Sequence, residues 1–234
     1  MTRLLVSVTS VEEALLALEH DADFIDLKNP SQGALGALPL ATIRQIVKVV
    51  GGRRPVSATL GDLPMQPELL ADRVQETAAT GVDIVKVGFF GQTGCVECVH
   101  KLAPLATSGV RMIAVLLADQ RPDFTLLPLL AQAGFYGVML DTAGKNGGRL
   151  TDHLNLEDLR DFVTAVHANT MLAGLAGSLA ASDVAPLVSL GPDYLGFRGA
   201  LCEKNDRTAS LDRRRLEHLH TLLRNYNTLR VTPH

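Results

Sequence analysis

The sequence predicts an α/β protein with a closed (β/α)8 fold, a TIM barrel, as a single domain. Short apolar runs rich in Val, Ile and Leu alternate with longer segments of helical period, and this unit recurs eight times along the chain. Strict alternation of strands and helices requires a parallel sheet, because each helix carries the chain back to the start of the next strand. A chain of 234 residues can hold eight such units, and closing the sheet removes the two exposed edges of an open one.

The predicted strands are short, apolar and bounded at most junctions by Gly, Asp, Asn or Pro, which are turn-forming residues. In chain order they are LLVSV from Leu4, FIDLK from Phe24, VSATL from Val56, IVKVGF from Ile84, MIAVLLA from Met112, GVMLDT from Gly137, MLAGLAGS from Met171 and YLGFRGA from Tyr194. Each is followed by a segment of helical period.

The predicted helices are, in the same order, SVEEALLALEH, LATIRQIVKVV, PELLADRVQETAAT, CVECVHKLAPLAT, FTLLPLLAQAG, NLEDLRDFVTAVHAN, SDVAPLVSLG and LDRRRLEHLHTLLRNY. Ser10, Asn155 and Ser182 stand at the expected starts of three of them, where a short polar side chain can accept from free amides. We expect residues 1–234 to form one barrel domain, with residues 224–234 as a C-terminal tail.

Charge and hydropathy restrict the partners. The 22 basic and 25 acidic residues are mixed along the chain and leave a net charge of −3, so no basic block indicates nucleic acid or a membrane surface. The chain has neither a signal-peptide pattern at its start nor an apolar run of about 18 residues. We therefore expect a cytoplasmic protein that acts on small molecules, and homo-oligomer formation stays open.

The three cysteines favour no metal site. Cys95 and Cys98 form a CxxC pair within a predicted helix, and no second pair completes a zinc site. A redox pair and a metal site are the alternatives. Ordinary buried or half-buried thiols are the interpretation that we prefer.

Two charges end the second predicted strand. Alternation places Phe24, Asp26 and Lys28 on one face of FIDLK. Burying such a pair costs several kcal/mol per ion after relaxation. The attraction between the two charges offsets this cost only when their geometry is good. Because barrel enzymes carry their chemistry at the carboxyl ends of the strands, Asp26 and Lys28 are candidate catalytic residues.

Other charges should converge on the same end of the barrel. In IVKVGF the alternation turns Lys86 inward, and in GVMLDT it turns Asp141 inward. Lys145 follows four residues later in the loop TAGKNGG and could fold back over the opening. The alternative is a set of structural ion pairs, Asp26 with Lys28 or Lys86 and Asp141 with Lys145, although a core is built more cheaply from Val, Ile or Leu.

Clustered lysines suggest amine chemistry. An exposed lysine has a pKa near 10.4, and desolvation or a neighbouring cation lowers it. A lysine in such a setting can attack a carbonyl to form a Schiff base or can remove a proton, while adjacent carboxylates move protons through carbinolamine and imine.

The last two strands predict a phosphate site. Barrels of this fold often bind phosphate with the loops after strands seven and eight. Those loops hold Gly177 and Ser178 in AGLAGSL, and Arg198, Gly199 and Ala200 in GFRGAL. The glycines could instead only ease turns. Together with the lysines, these loops predict a phosphorylated carbonyl compound as the substrate.

Several of these segments resemble one known family. The motifs DLKNPSQGALGA, VSATLGDLP, IVKVGFFG, MLDTAGKNG, LAGS and FRGALCEKNDR are similar to those of (5-formylfuran-3-yl)methyl phosphate synthases, over the stretch from Leu4 to about residue 223. The resemblance implies a barrel lyase of methanofuran biosynthesis. Such an enzyme joins two molecules of glyceraldehyde 3-phosphate and releases one phosphate and two waters.

The resemblance also implies roles for single residues. Lys28 matches the Schiff-base lysine of the family and Lys86 its proton acceptor, while Asp26, Asp141 and Lys145 match its other functional residues. No cofactor is implied, because the reaction has no net redox change and an iminium serves as the electron sink. Two alternatives are a class I aldolase acting on another phosphorylated sugar and a non-catalytic phosphometabolite-binding protein.

Overall fold

Eight parallel strands close into a barrel in the computed structural model, which describes residues 1–91, 93–143 and 148–231. The strands are β1 (Arg3–Val8), β2 (Phe24–Leu27), β3 (Val56–Thr59), β4 (Ile84–Phe89), β5 (Met112–Leu117), β6 (Gly137–Asp141), β7 (Leu172–Leu175) and β8 (Tyr194–Phe197). Each strand pairs with its neighbours in the chain, and β1 pairs with β8, with Leu5 opposite Gly196. The predicted fold is confirmed.

Helices follow the strands around the outside. They are α1 (Val11–Glu19), α2 (Leu40–Val50), α3 (Pro67–Ala78), α4 (Cys95–Thr107), α5 (Leu127–Gln132), α6 (Leu150–His153), α7 (Leu156–Ala168), α8 (Val184–Leu190) and α9 (Arg213–Val231). The sequence did not predict α6, which is a single turn ahead of α7.

The last helix continues into the segment that we expected as a tail. Residues 224–231 belong to α9, and Asn227 ties this part of the helix to the start of β1. Its side-chain oxygen accepts from the amide of Thr2 at 2.9 Å, and its amide nitrogen donates to the carbonyl of Thr2 at 2.7 Å.

Two of the three predicted helix starts are confirmed. The hydroxyl of Ser10 accepts from the amide of Glu13, and the side chain of Asn155 accepts from two amides in the first turn of α7. The third is wrong, because Ser182 lies inside a 3-10 turn, Ala181–Asp183, that precedes α8. The helix α8 therefore begins directly after this 3-10 turn, without a side-chain hydrogen bond that caps it.

The two faces of each strand meet different surroundings, as the alternation predicted. Residues such as Ile25, Val87 and Leu140 pack under the helices. The barrel interior is filled by a separate apolar cluster that includes Phe24, Ile84 and Met139. Polar side chains lie beyond this apolar cluster, at the carboxyl ends of the strands. This is the end of the barrel where the active site is expected.

The three cysteines are free and buried, in agreement with the expectation. Burial raises the pKa of the Cys98 thiol to about 11, and it raises that of Cys202 to about 11 as well. In the described part of the chain, no three His, Cys, Asp or Glu side chains are grouped as a metal ion would require. None of the helices in the described residues has the length and hydropathy needed to cross a membrane.

Candidate active site

A buried ion pair lies deep in the barrel. Asp26 on β2 and Lys86 on β4 both point inward, and Lys86 Nζ lies 2.9 Å from Asp26 Oδ1. Each side chain is only 1% exposed. The pair is therefore shielded from water. An unpaired charge in such a buried position would cost several kcal/mol of folding free energy.

Two serines complete the surroundings of Asp26. Ser7 on β1 donates to Asp26 Oδ2 at 2.9 Å, and Ser57 on β3 donates to Oδ1 at 2.6 Å. Burial alone would raise the pKa of Asp26, but the ammonium groups of Lys86 and Lys28, together with Ser57, hold this pKa below its usual value. Asp26 is therefore a carboxylate at neutral pH.

A second ion pair lies above the first, at the barrel mouth. Lys28 Nζ lies 2.9 Å from Asp141 Oδ2, and the two side chains are 11% and 8% exposed. Since β2 and β6 are on opposite sides of an eight-stranded barrel, the Lys28 side chain reaches across the mouth. Asp141 thus pairs with Lys28. The alternative partner that the sequence suggested for Asp141, Lys145, lies outside the described residues.

Both ion pairs border one cavity of about 450 Å³, within the range of roughly 300–1,000 Å³ that is typical of small-molecule sites. Asp26, Lys28, Lys86 and Asp141 line its deep side, and the loops after β6, β7 and β8 form its walls. The structure therefore brings together the four described charged residues that the sequence singled out.

The loops after β7 and β8 line this cavity with Gly177, Ser178, Gly199 and Ala200. Gly177 and Ser178 both have positive φ angles, of 106° and 50°, and a Cβ on Gly177 would lie 2.8 Å from a methyl carbon of Thr142. Among the described residues, no backbone carbonyl accepts from the amides of Gly177, Ser178, Gly199 and Ala200. These four amides remain available to an anion.

Arg198 plays a different part from its neighbours. All five of its N–H groups have protein partners: the two carboxylate oxygens of Glu13 and the carbonyls of Ser7, Arg207 and Ala209. Although Arg198 lines the cavity, its N–H groups donate to protein acceptors. These hydrogen bonds hold the loop after β8 against β1 and α1.

Glu13 is the buried partner of Arg198, at 2.6 Å from Nη1. Burial would raise the pKa of Glu13, but the hydrogen bond and charge of Arg198, with help from Thr9, hold the pKa below its usual value. Glu13 stands in the first turn of α1 and has the pattern of an ordinary capping residue, so this long-range contact could not be predicted from the sequence.

The loop after β2 closes one side of the mouth. Asp62 accepts from the amides of Ala34 and Leu35 at 2.9 and 2.7 Å, and Leu35 is fully buried in the barrel interior. A Cβ on Gly88 would lie 2.6 Å from a methyl group of Leu35. Leu35 therefore fills the space above β4 and helps to keep water from Lys86.

Sequence reasoning missed several polar residues of the site, among them Ser7, Ser57, Arg149 and Arg207. The two serines share the inward parity of Leu5 and Thr59, which was a usable signal. Arg149 and Arg207 line the cavity from loops, where alternation gives no direction. Arg207 closes the motif FRGALCEKNDR.

Comparison with known proteins identifies the family. The profile of the 4-HFC-P synthase family matches residues 4–220. The chain belongs to the 4-HFC-P synthase family. A protein of Methylorubrum extorquens is 44% identical over 211 residues, which cover 90% of this chain and 86% of the relative. The (5-formylfuran-3-yl)methyl phosphate synthase of Methanopyrus kandleri is 39% identical over 216 residues, with 88% and 91% covered. The chain is thus an enzyme of this family.

Solved structures share the fold of this 4-HFC-P synthase family member at low sequence identity. The 3-hexulose-6-phosphate synthase of Salmonella typhimurium superposes with a TM-score of 0.69 at 17% identity, covering 96% of this chain and 100% of that one. The phosphoribosyl anthranilate isomerase of Thermus thermophilus gives 0.67 at 17%, with 96% and 99% covered. These likenesses support the barrel fold alone.

Proposed function

We propose that this enzyme is a lyase that condenses two molecules of glyceraldehyde 3-phosphate to (5-formylfuran-3-yl)methyl phosphate, in methanofuran biosynthesis. The names of the relatives support this product. The atoms balance, because two trioses supply the six carbons of the product, and one phosphate and two waters leave. The observation that carries the proposal is the amine of Lys28, which lies beside Asp141 at the cavity floor.

Lys28 is the proposed Schiff-base residue. Its ammonium must lose a proton before it can attack, and Asp141, 2.9 Å away, is placed to take it. The free amine then adds to the aldehyde carbon of the triose. The aldehyde oxygen takes up two protons and leaves as water, so that the imine replaces the carbonyl.

Lys86 is the proposed base of the next step. It removes a proton from the carbon next to the iminium, and the electron pair of that C–H bond moves into the enamine, which is the carbon nucleophile. Lys86 must be neutral to do so, and Asp26, 2.9 Å away, is the carboxylate that can receive its proton. The lowered pKa of Asp26 keeps it ionised between proton transfers, so that it has an oxygen free to accept this proton and returns it readily.

No cofactor or metal enters this proposal, because the iminium accepts the electrons and the overall reaction has no net oxidation or reduction. Lys145 belongs to the proposed site through the family resemblance alone.

The amides of Gly177, Ser178, Gly199 and Ala200, named here the amide cradle, are proposed to bind a substrate phosphate. Backbone N–H groups that converge on one point favour an anion. Arg198 supports this cradle by fixing the loop after β8, since its donors are directed to protein groups.

Incubation with glyceraldehyde 3-phosphate alone tests the function. We expect inorganic phosphate and a furan-aldehyde ultraviolet band to appear together, one phosphate for each furan, and the Lys28→Arg variant to produce neither. An aldol product that retains both phosphates would support the aldolase alternative and contradict the proposal. The absence of any turnover would favour a binding protein instead.

A further inference from the structure

Arg207 bridges two loops over the cavity. Its Nη2 donates to the carbonyls of Pro30 and Gly33, at 3.0 and 2.6 Å, in the loop that follows Lys28. Its backbone carbonyl accepts from Nε of Arg198 at 2.9 Å. The guanidinium is therefore held in place between the loop after β8 and the loop after β2.

The remaining donors of Arg207 face the cavity wall without a partner in the part of the chain that the structure describes. Neither Nε nor Nη1 has an acceptor among the described residues, and the side chain is half-buried at the cavity wall. A guanidinium stays charged at any physiological pH and presents its N–H groups in a plane that matches phosphate oxygens.

The other cations at the cavity are already paired. Lys28 and Lys86 contact Asp141 and Asp26, and Arg198 contacts Glu13. Arg149 is more weakly matched, at 3.7 Å from Asp183, and its side chain is 49% exposed. Among the described cavity-lining residues, Arg207 is the cation that has no carboxylate within salt-bridge distance.

The acidic residue next to Arg207 in the chain makes no salt bridge with it among the described contacts. Asp206 also lines the cavity, but its Oδ1 accepts from both the amide and the hydroxyl of Thr208, at 2.9 and 2.7 Å. The positive charge of Arg207 is thus left to attract an anion from the cavity.

We infer that Arg207 is a second phosphate-binding group, which holds the phosphate of the second triose while the amide cradle holds that of the first. Naming the ligand as a triose phosphate rests on the proposed function. Two phosphate dianions in one cavity repel each other, and a separate charged group for the second one offsets that repulsion. The hydrogen bonds to Pro30 and Gly33 hold the guanidinium of Arg207 against the loop that follows Lys28.

Binding of inorganic phosphate to the resting enzyme tests the inference without turnover. Equilibrium dialysis with labelled phosphate should show two sites per chain. Arg207→Gln should weaken one of them about 10- to 100-fold, the usual effect of losing a hydrogen bond to a charged group, and leave the other unchanged. Lys204→Gln, which removes an exposed positive charge from the same segment, is the matched control and should retain both.

Trapping with borohydride separates an anion contact from a merely structural role. With unphosphorylated glyceraldehyde, Arg207→Gln should form the Lys28 adduct at the wild-type rate. With glyceraldehyde 3-phosphate, the variant should need about 10- to 100-fold more substrate for furan formation, with kcat changed much less.

Three results would overturn the inference. They are a single phosphate site in the wild type, two sites that Arg207→Gln leaves unchanged, and an equal loss of trapping with both aldehydes, which would indicate a loosened loop. Failure of the proposed function has a different signature, because two phosphate sites, one of which depends on Arg207, would then be found in a protein that makes no furan.

Discussion

Removal of Lys86 should expose the cost of the buried charge on Asp26. Lys86→Met keeps the volume of the side chain but leaves a carboxylate that is 1% exposed without its closest counter-ion. Breaking a buried pair in this way costs about 3–5 kcal/mol. At about 2–4 °C per kcal/mol for a chain of this size, we expect the melting temperature to fall by about 6–20 °C at neutral pH.

The size of this loss should depend on pH. In the wild type the lowered pKa of Asp26 contributes stability above its unfolded pKa, and this contribution is lost as the pH falls through the folded value. In the variant, burial is no longer offset by Lys86, so the pKa of Asp26 rises. A raised carboxyl pKa leaves the variant most stable below the unfolded pKa, near 4, and destabilises it as the pH increases. The difference between the two proteins should therefore shrink toward pH 4.

The measurements are thermal melting and urea unfolding, both followed by far-ultraviolet circular dichroism because the chain has no tryptophan. Adding Asp26→Asn to Lys86→Met should restore part of the loss, because the neutral amide needs no counter-ion. Arg73→Met is the control, since it breaks an exposed pair with Glu76 and should cost less than about 1 kcal/mol. Equal stability of Lys86→Met and this control at pH 7, or a loss that is independent of pH, would show that Asp26 carries no buried charge.

Three further outcomes follow from the same structure. Lys28→Arg keeps a cation beside Asp141 but should give no borohydride adduct with glyceraldehyde 3-phosphate by mass spectrometry, because a guanidinium stays protonated; an adduct at the wild-type level would place the Schiff base elsewhere. Leu35→Ala should destabilise the fold by about 2–5 kcal/mol in urea, whereas Leu15→Ala, at a 38% exposed position, should cost much less; equal losses would contradict the buried position of Leu35. Cys98 and Cys202, whose pKa values are raised to about 11, should react slowly with a disulfide reagent at pH 8 and rapidly in urea; fast labelling of the native protein would contradict their burial.

The strand residues of the site could be predicted from the sequence because alternation is a strong constraint. Once the barrel was inferred, parity alone turned Asp26, Lys86 and Asp141 inward, and the structure places them there. What parity does not give is the partner of each charge. Lys28 pairs with Asp141, which is 113 residues away in the sequence. The two side chains come into contact only when the barrel closes.

Loop residues were harder to predict because loops have no alternation to give the direction of a side chain, and their partners are distant in the chain. Arg198 looked like a phosphate ligand because it sits beside Gly199, yet its donors are taken by Glu13 and by three carbonyls. Glu13 is far from it in the chain and has the pattern of a helix cap. Arg207 lies beyond the last strand, where no periodicity indicates a direction. In loops, only the folded chain shows which donors are already in use.

The order of the residues around the barrel divides the site between two parts of the chain. Asp26 lies on β2, Lys28 directly follows it and Lys86 lies on β4, whereas the amide cradle and Arg207 follow β7 and β8. In the proposed mechanism, the amines that react and the groups that hold anions are therefore separate units of sequence, joined by the contact of Lys28 with Asp141 across the mouth. On that proposal, we expect a substitution in the second unit to change which anion is held before it changes which amine reacts. The choice of substrate could then vary in this fold while the reactive lysines stay the same.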